Sequence, residues 1–193
     1  MHKGSYYLIN AITIYRMAAS MLLLYFLYTG RADMFRWFLV LSFFTDLIDG
    51  LLARKYKVTS VLGSKLDSVA DDLTFLMAAI GVFVWKFEFI RQEYLPIIGL
   101  LGLYVLQTIM ALVRYGKISS FHTYLAKCAA LLQGTFLILL FFLTEPPFTL
   151  FYIAAAVTAL DLIEEIIIVI MEPEWQSDVK GIYWMYGKSK RKQ

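Results

Sequence analysis

Long apolar runs, rather than a period-two alternation, dominate the chain. A helix that crosses a bilayer needs about 20 residues. Six runs fit, at roughly 6–28, 34–53, 67–86, 95–113, 123–143 and 148–171. Spanning segments have to be helical, because backbone groups in lipid are satisfied only from within the segment. The pattern predicts an all-α polytopic membrane protein with six transmembrane helices and short connections. No internal repeat and no linker divides it, so one membrane domain over 1–193 is expected, with a tail from about 172. The first run is too long for the apolar part of a cleavable signal and lacks a small-residue cleavage site, so it is expected to remain as a span.

Composition supports the same class. Apolar residues make up 60% of the 193, against about 45–50% in soluble domains. The single cysteine, Cys128, excludes an internal disulfide. The net charge of +3 is small, and no nucleic-acid partner is expected. The distribution of charge says more. With the N-terminus in the cytoplasm, Lys3, the Arg54–Lys65 loop, the Arg114–Lys127 region and the tail place thirteen of the 18 Lys and Arg residues on that side. Arg31, Arg36, Lys86 and Arg91 fall on the other side, and Arg16 lies within the first span. By the positive-inside rule both termini are cytoplasmic.

The polar residues inside these runs are the candidates for chemistry. Asp46 and Asp49 end the second run, and Asp67 and Asp71 open the third. Steps of three and four put each pair on one helical face. Asp67 alone could be a first-turn complement to the helix dipole, but that does not account for the pair on the preceding span. Asp72 points to another face. Gly50 and Ala53 are small enough for a ligand or a second helix to come close. Arg54 is placed to meet phosphate with its planar fork, whereas Lys55 and Lys57 read as contacts to anionic lipid heads. Asn10, Thr13 and Arg16 form one polar stripe on the first span. Arg16 either snorkels to the interface or lines a cavity beneath the aspartates. Lys127, inside the fifth run, is a stronger anion candidate than Lys117, which also reads as topology marking. His122 is an interfacial hydrogen-bonding residue or a ligand. Asp161, Glu164 and Glu165 in the last run need partners: either salt bridges to Arg16, Arg114 or Lys127, or a cation pathway.

Four converging carboxylates without a nearby cysteine suit a hard divalent cation, Mg²⁺ or Mn²⁺. Two ions would fit such a set and would stabilise both oxygens of a phosphoryl transfer. A carboxylate beside them can take the proton from an attacking hydroxyl. At a membrane surface, one substrate is expected to be a phosphate-bearing lipid.

The run Asp46-x2-Asp49-Gly50-x2-Ala53-Arg54-x8-Gly63-x3-Asp67-x3-Asp71 resembles the signature of the CDP-alcohol phosphotransferases at all eight fixed positions. The Asn10–Thr13–Arg16 stripe resembles a weaker element of their first helix. The resemblance implies transfer of a phosphatidyl group from a CDP-linked donor, usually CDP-diacylglycerol, to an alcohol, with release of CMP. It implies that Asp46, Asp49, Asp67 and Asp71 bind the metal pair and that Asp71 is the general base. Asn10, Thr13, Gly50, Ala53, Arg54, Thr59, Ser60 and Gly63 would form the donor site. A homodimer among membrane lipids, in a bacterial inner membrane with the active site facing the cytoplasm, is the expected setting.

Arg114, Lys117 and Lys127 resemble the basic set with which relatives grip phosphorylated acceptors such as glycerol 3-phosphate or inositol phosphate. Ser68 stands where phosphatidylglycerophosphate synthases typically carry proline. The run LDSVAD is closer to phosphatidylserine synthases or to relatives that use inositol phosphate. The basic set favours a phosphorylated polyol, with a serine-using enzyme as the alternative. A small transporter built on Asp161, Glu164 and Glu165 is the competing reading from another class.

Overall fold

In a computed structural model, residues 15, 18–56, 61–117, 121, 123–172, 175, 179 and 181 are described, with side chains not described at 47, 49–56 and 61–68. Among the described residues there are helices and no strands. The helices are α1 (Ala18–Tyr28), α2 (Ala32–Tyr56), α3 (Val61–Trp85), α4 (Phe87–Gln92), α5 (Tyr94–Tyr115), α6 (Tyr124–Phe142) and α7 (Phe148–Met171). Their contacts group into two units, Met1–Ile90 and Arg91–Gln193.

In the first unit, α1 ends at a glycine turn. Gly30 has φ 69°, a conformation that costs any residue with a Cβ. The turn is closed by hydrogen bonds from the Thr29 N–H to the Tyr25 carbonyl and from the Arg31 N–H to the Phe26 carbonyl. It brings Phe26 of α1 against Phe38 of α2, with ring centroids 5.1 Å apart. Helices α2 and α3 then pack as an antiparallel pair. Phe35, near the start of α2, meets Trp85, at the end of α3, edge to face at 5.0 Å. A seam runs from that contact at steps of three and four. On α2 it passes through the buried Phe35, Leu39 and Ser42, and on α3 back from Trp85 through the buried Val82, Ala78 and Thr74. This spacing keeps one face of each helix toward its neighbour. Met34 and Trp37 are exposed, but Phe35 between them is a core residue.

Two boundaries differ from the sequence reading. The third helix begins at Val61 rather than near 67, and its first turn holds no acidic residue. Asp67 is therefore no first-turn complement to the dipole. The loop expected at 54–66 is mostly helical, since α2 continues to Tyr56 and only 57–60 separate it from α3. The flanking Lys and Arg concealed this, because good helix formers are no loop signal. The short α4 was not anticipated. It is too brief for an apolar period to show.

In the second unit, α7 packs against both α5 and α6. It is antiparallel to α6, as the Phe136–Phe151 ring contact at 5.4 Å and the Gln133–Thr158 hydrogen bond at 2.6 Å show. It is parallel to α5. Tyr152, early in α7, donates to the buried Glu93 carboxylate at the start of α5. At the other end Tyr115 reaches the carbonyl of Glu172. A small cluster of Ala111, Phe121, Ile168, Val169 and Val179 fills the space at that end.

Among the described residues, two helices, α5 and α6, are long and apolar enough to cross a membrane. Both present much of their apolar surface outward: Leu95, Ile98, Leu101 and Val113 of α5 are exposed, as is Leu131 of α6. Helix α7 is equally long, but every 18-residue stretch of it includes Asp161, Glu164 and Glu165.

The end of α5 offers a test. Gly116 has φ 66°, and its N–H caps the helix on the Leu112 carbonyl at 2.8 Å. Gly99 lies in the helix interior with open space around its Cβ position. Gly116→Ala is expected to destabilise the protein by about 1 kcal/mol. Gly99→Ala is expected to stabilise it by about 0.5–1 kcal/mol. Thermal unfolding in detergent should move the two midpoints in opposite directions.

Candidate functional site

The aspartates lie on the α2–α3 seam. On α2 the steps through Phe35, Leu39 and Ser42 continue to Asp46 and Asp49, and on α3 those through Val82, Ala78 and Thr74 continue to Asp71 and Asp67. Asp46 is eleven residues from Phe35 and Asp71 fourteen from Trp85. At about 1.5 Å per residue, these are axial distances of about 16 and 21 Å from one shared contact. The register therefore brings the two backbone positions to within about one helical turn of each other along the pair. Both side chains are half-buried, and Asp72, one residue on, is exposed. The side chains of Asp49 and Asp67 lie outside the described set. Among the described residues, no group of three or more His, Cys, Asp or Glu is placed to hold a metal.

The donor set is described in part. Asn10, Thr13, Thr59, Ser60 and Arg16 lie outside the described residues. Gly50, Ala53 and Arg54 are helical positions in the last two turns of α2, and Gly63 is in the first turn of α3. Their side chains are not described.

The basic set is on the second unit, and each member is exposed. Arg114 donates from Nε to the Glu172 carbonyl at 3.0 Å, just past the end of α7. The Tyr115 hydroxyl lies 2.9 Å from the same carbonyl and 3.3 Å from that of Val169. These groups satisfy carbonyls that a helix C-terminus leaves without partners. The Lys117 ammonium sits 5.1 Å above the Trp175 ring, and that of Lys127 5.4 Å above the Tyr124 ring, both within reach of a cation–π attraction. His122 is outside the described residues.

Sequence reasoning offered Asp161 an arginine or lysine. Among the described residues the partner that emerges is a hydroxyl: Thr123 donates to Asp161 Oδ1 at 3.1 Å, with both residues buried. Thr123 also caps α6, accepting the Ala126 N–H at 2.9 Å. A threonine ahead of an apolar run is a helix-start signal, so the cap was open to prediction and its second bond was not. Glu164 and Glu165, on the same helix, are half-buried. Tyr115, Trp175 and the Glu93–Tyr152 pair were also missed. Each depends on a contact between residues more than 50 apart in sequence.

The model of one family, CDP-alcohol phosphatidyltransferase, matches residues 6–166. No curated protein and no solved structure matches the chain.

The hydroxyl of Tyr115 ties the end of α5 to the end of α7. Tyr115→Phe keeps the ring and removes those bonds, and should lower stability by about 1 kcal/mol. Chemical denaturation in mild detergent would register this as an earlier midpoint with an unchanged slope.

Proposed function

Because the chain belongs to the CDP-alcohol phosphatidyltransferase family, we propose that it transfers a phosphatidyl group from CDP-diacylglycerol to a phosphorylated polyol such as glycerol 3-phosphate or inositol phosphate. The observation that carries this reading is the aspartate signature on the α2–α3 seam, inside the matched region. The setting is a six-span membrane domain over 1–193, with both termini and the active site on the cytoplasmic side, assembled as a homodimer. The thirteen basic residues on one side of the six-run layout support that orientation.

The donor groups at the seam are all carboxylate oxygens, a set that fits a hard divalent cation such as Mg²⁺ or Mn²⁺. Asp46, Asp49, Asp67 and Asp71 would hold two ions. When bound, such a pair supplies positive charge to the phosphoryl oxygens during transfer.

The protein's part is to position groups and move a proton. Gly50, Ala53 and Gly63 leave room for the nucleotide, and Arg54 meets the donor phosphates. Thr59, Ser60, Asn10 and Thr13 complete that pocket. Asp71 takes the proton from the acceptor hydroxyl. The acceptor oxygen then bonds to the phosphorus that carries diacylglycerol, the bond from that phosphorus to CMP breaks, and CMP leaves. Arg114, Lys117 and Lys127 grip the phosphate of the acceptor. A zwitterionic acceptor such as serine would offer this basic set no phosphate to grip.

Purified protein given CDP-diacylglycerol, Mg²⁺ or Mn²⁺ and a panel of alcohols should release CMP with a phosphorylated polyol and not with serine. Release with serine alone would transfer the assignment to a serine-using member, and release with none of the panel would remove it. Asp71→Asn should leave the protein folded and able to bind the metal, with turnover reduced about 10²- to 10⁴-fold. Wild-type turnover in that variant would exclude Asp71 as the base.

A further inference from the structure

The contacts of α7 with α6 form a chain that the reaction scheme above leaves unused. Asp161, buried in the middle of α7, accepts a hydrogen bond from Thr123 Oγ1. That same Oγ1 accepts the Ala126 N–H, and the Thr123 carbonyl accepts the Lys127 N–H at 3.3 Å. The first turn of α6 is thus fastened to one buried threonine, and the threonine to one buried carboxylate. Lys127 is the fourth residue of α6, so its backbone lies within the turn that the threonine fixes. The other basic residues touch groups that follow the end of α7: Arg114 the Glu172 carbonyl, and Lys117 the Trp175 ring.

We infer that Asp161 is a positioning residue for acceptor binding: through Thr123 it holds the first turn of α6, and with it Lys127, where the ammonium can meet the acceptor phosphate. This rests on the reading of Arg114, Lys117 and Lys127 as the acceptor set. The chemistry is specific to an oxygen at position 161. A carboxylate or an amide carbonyl can accept the Thr123 proton, and an aliphatic side chain of similar size cannot. Loss of that acceptor leaves a buried hydroxyl with nowhere to donate, and the turn it caps is loosened.

The test compares acceptor KM, CDP-diacylglycerol KM and kcat for the full chain in nanodiscs, with glycerol 3-phosphate and inositol 1-phosphate as acceptors. Asp161→Leu and Thr123→Val should raise acceptor KM about tenfold, with kcat and donor KM within about twofold of wild type. Asp161→Asn and Thr123→Ser, which keep the hydrogen bond, should stay within about threefold of wild type for acceptor KM. If Asp161→Leu does not fold, Asp161→Ala, which removes the acceptor and leaves the Thr123 cap in place, decides the question. Hydrogen exchange at residues 124–127 should rise in the disrupted variants and not in the conservative ones. An unchanged acceptor KM in a folded disrupted variant overturns the inference, and so does an equal loss in kcat and both KM values. Failure of the wild-type protein to use either phosphorylated acceptor is a different result. It removes the acceptor assignment and this inference with it.

Discussion

The packing of Phe35 against Trp85 sets the relation between α2 and α3, and the carboxylates depend on that relation. One seam carries two kinds of residue. Its first half is apolar and small, with Leu39 and Ser42 on one helix and Val82 and Ala78 on the other, all buried. Its second half carries Asp46, Asp49, Asp67 and Asp71 at the same helical spacing. Slippage of one helix by a turn would displace the two aspartate pairs by about 5.4 Å along the axis. A shared cation would not tolerate that. The apolar half stabilises the register, and the proposed cation site would depend on it.

The same economy appears in the second unit with different chemistry. There α7 is joined to its neighbours by side-chain hydrogen bonds placed along its length. Tyr152 meets Glu93, Thr158 meets Gln133, Asp161 meets Thr123, and the carbonyls at its end meet Arg114 and Tyr115. In an apolar setting a polar group without a partner costs several kcal/mol or about that order. Each such group therefore specifies the neighbour that satisfies it. Buried Asp161 is tolerable because a hydroxyl donor reaches it, and the hydroxyl in turn orders the start of α6.

The basic residues show how one side chain can serve two ends. Arg114 uses Nε on the carbonyl past α7, which orients the guanidinium. Lys117 and Lys127 lie over aromatic rings, which fix an ammonium more loosely than a carboxylate would. Among the described residues these contacts are a carbonyl and two rings, which leave a positive charge to meet a phosphate.

How much of this could be read in advance depends on the range of the interaction. Hydropathy alone marked the runs 95–113 and 123–143 to within two residues and 148–171 to its ends, because a helix's apolar period is local, while most of the first half of the run 6–28 lies outside the described residues. It misplaced the start of α3 and the extent of α2, where Lys and Arg hide a continuing helix. The spacing of Asp46, Asp49, Asp67 and Asp71, with the glycines and Arg54 between them, sufficed to indicate the family and its reaction. A sequence determines which residues share a face. It does not determine which face meets which neighbour, since that is decided by packing among segments far apart in the chain. Tertiary structure alone decided that Phe35 is core, that α2 and α3 share a register through Trp85, and that Asp161 answers to Thr123.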